Sequence, residues 1–230
     1  FPLFTDLSVS SYTAVTEKKP EIKARIKSAT SIEPDNIVVK VDGEIVYPEI
    51  TAGEKYYDIS HTPEQELKEG AHDLYIWAKN ALNLEDATKV RFTVDTEGPE
   101  VTHLNEEDRP FFRCRGGSCK DAGNPRVIYW QPARIAFEDV SELKEVRIYA
   151  GDFGELEQSK TFAGVKSATG TFTLEEGRLY TLVAKDVLGH ATTAYMFTDA
   201  FRPYVKKVTV RKSQTQETYY KGEWLLNGEM

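Results

Sequence analysis

The residue types most able to do chemistry in this sequence crowd into one stretch, DRPFFRCRGGSCKDAGNPRVIYWQP, positions 108–132. It holds both cysteines, Cys114 and Cys119, with four residues between them. That spacing allows a small disulfide loop, the reading that fits an exported protein. Two free thiols would fit a cytosolic one. Zinc would need further ligands, and neither a second Cys pair nor a nearby His cluster supplies them. The same stretch carries five basic residues against two acids, whereas 20–98 carries nine against sixteen. Its aromatics can stack on sugar rings and its arginines can fork onto carboxylates. Phe112, Arg113, Arg115, Tyr129 and Trp130 are therefore the candidate ligand-binding residues, with cell-wall glycan or another surface protein as the partner. The competing reading is that these aromatics cover a core and the disulfide staples them there.

Catalytic groupings are absent from the rest. The four histidines, His61, His72, His103 and His190, are scattered, and none forms a His-Glu-x-x-His pair. No nucleophile elbow and no phosphate-cradling glycine loop opens a helix. Catalytic residues: none; the chain is expected not to be an enzyme. Among 37 acidic residues, two can always be paired for glycoside hydrolysis on paper, and a solvated acidic surface is the plainer account. Asp95, Glu97, Glu100, Asp186 and Asp199 fall near expected junctions and form a weak calcium candidate, against which a plain linker stands. No other cofactor is implied.

The elements that would position these residues follow from pattern. A hydrophobic share of 40% and a charged share of 29% are those of a globular chain, and 230 residues suit two domains. The net charge of -8 argues against nucleic acid as a partner, and no apolar run is long enough to span a bilayer. The opening FPLFTDLSV reads as the start of a mature or excised piece of something longer. Two segments repeat: LKEGAHDLYIWAKNALN from Leu67 and LEEGRLYTLVAKDVLGH from Leu174. Each runs Leu-x-Glu-Gly, an alternating strand, Ala-Lys-Asn/Asp and a turn. Prolines at 20, 99 and 203 read as domain starts. The expected units are 1–19 (an N-terminal strand or the end of a preceding module), 20–98, 99–201 with an insertion at 108–132, and 202–230 (C-terminal strands or the start of a third module). Period-two runs such as HDLYIWA and NIVVKV, with a VDGE hairpin turn, predict antiparallel β-sandwiches, a closed barrel being the alternative. PEQELKEG and DVSELKEV each predict about one helical turn.

The spaced residues Leu67, Gly70, Ala78, Asn80, Asn83, Phe92, Val94, Asp95 and Pro99, and again Leu174, Gly177, Ala184, Asp186, Gly189, Phe197, Asp199 and Pro203, resemble the immunoglobulin-like repeats of bacterial and archaeal surface proteins. The resemblance covers about 20–200. The sequence departs from the pattern with Asn80 for Asp, Leu82 for Gly and His190 for Asn. It implies an all-β chain of two tandem immunoglobulin-like (Greek-key) β-sandwiches with partial strands of flanking units at both ends. By the same token it implies an extracellular or cell-surface structural or spacer module, in a surface layer, an adhesin or a multidomain secreted protein. Its partners would be neighbouring immunoglobulin-like domains. A ligand-binding module using 108–132, or an accessory domain of a secreted hydrolase, are the alternatives. Each repeated residue has a folding role: the Leu closes the core, the Gly turns the chain, and Asn80 or Asp186 bonds the next turn's backbone.

Overall fold

The computed structural model describes residues 1–11, 14–105, 107–119, 125–128 and 132–199. The first unit contains β1 (Leu3–Thr5), β2 (Ala14–Val15), β3 (Ile22–Lys27), β4 (Ile37–Val41), β5 (Glu44–Val46), β6 (Glu49–Ala52), β7 (Tyr56–His61), β8 (Gly70–Lys79) and β9 (Glu85–Val94). They form two sheets, β1-β3-β7-β6 and β2-β9-β8-β4-β5. Pairing is antiparallel except for β2, which runs parallel to β9. Alternation decides which side faces in. Ile22, Ala24 and Ile26 of β3 meet Leu74, Ile76 and Ala78 of β8 and Phe92 and Val94 of β9 in one core. Asp42 and Gly43 of VDGE both take positive φ, which is what a tight hairpin between β4 and β5 requires.

The second unit repeats this plan with β10 (Glu100–Leu104), β11 (Pro110–Cys114), β12 (Gly117–Cys119), β13 (Arg126–Ile128), β14 (Ala133–Glu138), β15 (Leu143–Ala150), β16 (Leu156–Thr161), β17 (Ser167–Phe172), β18 (Leu179–Asp186) and β19 (Ala191–Thr198). Its sheets are β11-β10-β14-β17 and β12-β19-β18-β15-β16, with β13 also running parallel to β19. Val101, Ile135, Phe137, Val146, Ile148, Tyr180, Leu182 and Met196 fill the core. Alternation is strict in β8 but not in β18, where Thr181 and Val183 are buried too. The loop after β15 folds over that outer face: Thr181 donates to the Gly151 carbonyl, and Phe153 packs near Tyr149 and Tyr195.

The sheets revise three details of the sequence reading. The first sandwich takes in β1 and β2, so Pro2 ahead of β1 stands where Pro99 stands ahead of β10, and Pro20 is internal. The segment 108–132 is not a loop set on a finished sandwich. Its described residues supply β11, β12 and β13, laid on β10 and β19. The two helical turns do not form: the Leu67 amide bonds the Lys18 carbonyl, and Leu143 begins β15. Among the described residues the one short helix is a 3-10 turn at Pro34–Asn36.

Candidate functional site

Phe112 is a core residue, 7% exposed, with its ring near His103. Strand alternation then turns its neighbour Arg113 outward, 3.7 Å from Glu100. Cys114 and Cys119 are joined in a disulfide with Cα atoms 5.7 Å apart. The small loop they close presents Arg115 to Glu97 at 3.7 Å, while its Gly116 amide donates to the Thr192 hydroxyl. The five candidate binding residues are therefore not one exposed face, since Phe112 lies inside while Arg113 and Arg115 lean on separate glutamates. Tyr129 and Trp130 lie outside the described residues.

A different set of side chains converges where the first sandwich passes into the second. Asp95 follows β9 directly, and its amide extends the β2–β9 ladder by bonding the Val15 carbonyl at 2.9 Å. Asp95, Gly98 and Pro99 are all buried. A Cβ on Gly98 would sit 2.4 Å from the Ala191 carbonyl carbon, so only glycine lets the linker lie on the start of β19. On either side, Glu69 accepts from the Thr96 amide and hydroxyl, and Glu97 lies 3.4 Å from Lys18 as well as beside Arg115.

Against this linker stand the turns after β14 and β18. Asp186 is fully buried. Its Oδ1 accepts the amides of Gly189 at 2.6 Å and His190 at 2.9 Å, and its Oδ2 meets His190 Nδ1 at 2.9 Å. His190 Nδ1 is also 3.7 Å from Asp95 Oδ1. One ligand atom each from Asp95, Asp186 and His190 lies within 4.8 Å of the others. Asp139, at the end of β14, is buried beside them. Among the described residues, neither oxygen of Asp95 has a hydrogen-bond partner, nor do Asp139 Oδ2 and the Ser141 hydroxyl. Burial, and then the charge of Asp95, push the Asp139 carboxyl up to about 6. Burial likewise raises Asp95, and the Ser141 hydroxyl, close to it but outside hydrogen-bond geometry, offsets only part of this.

Of the five calcium candidates, the fold brings Asp95 and Asp186 together. Glu97 and Glu100 face cations elsewhere, and the Asp199 amide bonds the Ile128 carbonyl. Asp139, Ser141 and His190 were missed as site residues. The repeat carried a signal for His190 alone. Asn83 and Gly189 both take positive φ, and Asn80 and Asp186 each bond the carbonyl four residues on. Asn83, and not Leu82, is thus the counterpart of Gly189, and Leu84 is the counterpart of His190.

No protein-family model and no curated relative matches the sequence. In both units the first strand, β1 or β10, lies in one sheet, and a later short strand, β2 or β12, lies in the other, parallel to the last strand. That is immunoglobulin strand order. The chain is two immunoglobulin-like sandwiches in tandem. Solved structures similar to it include an I-band fragment from titin, 16% identical over 86% of this chain and 65% of that one, with a TM-score of 0.48. Dimeric latent PorU from Porphyromonas gingivalis is 16% identical over 87% of this chain and 20% of its own, with a TM-score of 0.36. The BSP domain of a biofilm associated protein is 18% identical over 87% and 30%, with a TM-score of 0.28. The chain thus spans less than two thirds of each, and the likeness concerns the fold alone.

Proposed function

We propose that this chain is a non-enzymatic structural module, a spacer or assembly unit of an exported prokaryotic surface protein: a surface-layer protein, an adhesin or a multidomain secreted protein. The observation that carries this reading is the buried linker, in which Gly98 lies on the backbone of β19. A linker with no room for a methyl group favours one relative orientation of the two sandwiches, the property a spacer needs. The disulfide supports an oxidising, extracellular setting. The partners would be neighbouring immunoglobulin-like domains of the same protein.

The rival ligand-binding reading keeps one specific support, exposed Phe111 beside the basic Arg109 and Arg113. A pull-down on cell-envelope fractions separates the two. The spacer reading expects no more retention than an unrelated sandwich shows. Saturable retention lost in Phe111→Ala and Arg113→Ala would contradict it.

A further inference from the structure

The two repeats form an internal comparison. Ser28 and Asp139 each follow the strand that carries the centre of the first sheet, β3 and β14, with Thr30 and Ser141 two residues on. Asn80 and Asp186 each cap the turn after the penultimate strand, with Leu84 and His190 four residues on. In the first sandwich the set is neutral. Asn80 Oδ1 accepts the amides of Leu82 and Leu84, and its Nδ2 reaches the Ser28 hydroxyl at 3.4 Å. The turn therefore folds without charge. In the second sandwich the same four positions read Asp139, Ser141, Asp186 and His190, and the preceding linker adds Asp95. Two buried carboxylates, Asp95 and Asp186, meet one imidazole, with Asp139 buried nearby, where one sandwich earlier a hydroxyl and an amide suffice.

The surrounding charges among the described residues do not balance them. Glu69, acidic itself, is held by Thr96, while Lys18 and Arg115 are drawn to Glu97. A buried carboxylate with neither oxygen bonded is costly to leave so. Asp95 is in that position, 0% exposed and aimed at Asp186 and His190.

We propose that Asp95, Asp186 and His190 bind a divalent cation that fastens the linker to the second sandwich. Oxygen donors suit Ca2+, Mn2+ and Zn2+, and the imidazole adds a nitrogen that the latter two accept. His190, with 23% of its side chain exposed, marks the way in. This inference does not rest on the spacer reading, because a ligand-binding module would have the same junction.

The test uses the whole chain, stripped with chelator and then dialysed against each of the three cations. The proposal expects about one ion retained per chain and a melt raised by several degrees with at least one cation. Asp186→Asn copies the first sandwich, so it should fold, melt in chelator at or above wild type, and bind at least about tenfold more weakly. Asp95→Asn should weaken binding in the same way. A wild-type melt and ion content indifferent to all three cations would overturn the proposal. So would retention unchanged in both variants, which would mean an adventitious ion elsewhere.

Discussion

Asn80 shows what a single buried polar side chain does in this fold. It is 4% exposed, and its carbonyl oxygen takes two turn amides. Asn80→Ala leaves both without a partner and should destabilise the first sandwich by about 1–3 kcal/mol, read by chemical denaturation. Asp186→Asn keeps an acceptor in the equivalent turn and should not. His103 gives a pH dependence. It is fully buried near the rings of Phe111 and Phe112, and burial lowers its pKa to about 4. The unfolded chain, with a pKa near 6.5, takes the proton first. Stability from this group is therefore complete above about 6.5 and declines towards pH 4, by about 3 kcal/mol at most. The raised carboxyls of Asp95 and Asp139 titrate with the opposite sign. The measurement is thus the difference between wild type and His103→Phe, whose stability should fall less over that window. Equal acid sensitivity would contradict the burial argument. Asn80 and Asp186 were legible in the sequence because their bonds span four residues. The meeting of Asp95, Asp139 and His190 was not, because it joins a linker to two loops distant along the chain.

At the scale of elements, the strands were legible wherever one face is buried and the other wet, as in β4 and β8. Pattern failed where something else covers the second face, as in β18, and where strands are too short to alternate. β1, β2, β12 and β13 have two or three residues each and owe their pairing to the long strands beside them. That is why 1–19 read as a flanking piece and 108–132 as an insertion. The Cys114–Cys119 spacing allowed the loop, and the structure closes it. Thiol titration of the unfolded, unreduced protein should find no free thiol. The ring is small and constrains the unfolded chain little, so reduction should cost less than the roughly 3 kcal/mol of a 15-residue loop. A larger loss would mean that the loop's contacts with β19 and Glu97 carry more than surface pairs ordinarily do.

For the whole molecule, the claim is that two sandwiches with separate cores behave as one stiff body because their linker is buried. The ion pairs among Lys18, Glu97 and Arg115 are half-exposed and contribute little. The closeness of Gly98 to Ala191, where backbone meets backbone, matters more. Gly98→Val should push the linker off β19 and leave each sandwich folded. The direct measurement places spin labels at exposed Glu44 and Ser159, one on each sandwich, and records the distance distribution between them in solution. The buried linker predicts a single narrow distribution for the wild type that broadens in Gly98→Val. A wild-type distribution already as broad as that of the variant would contradict it.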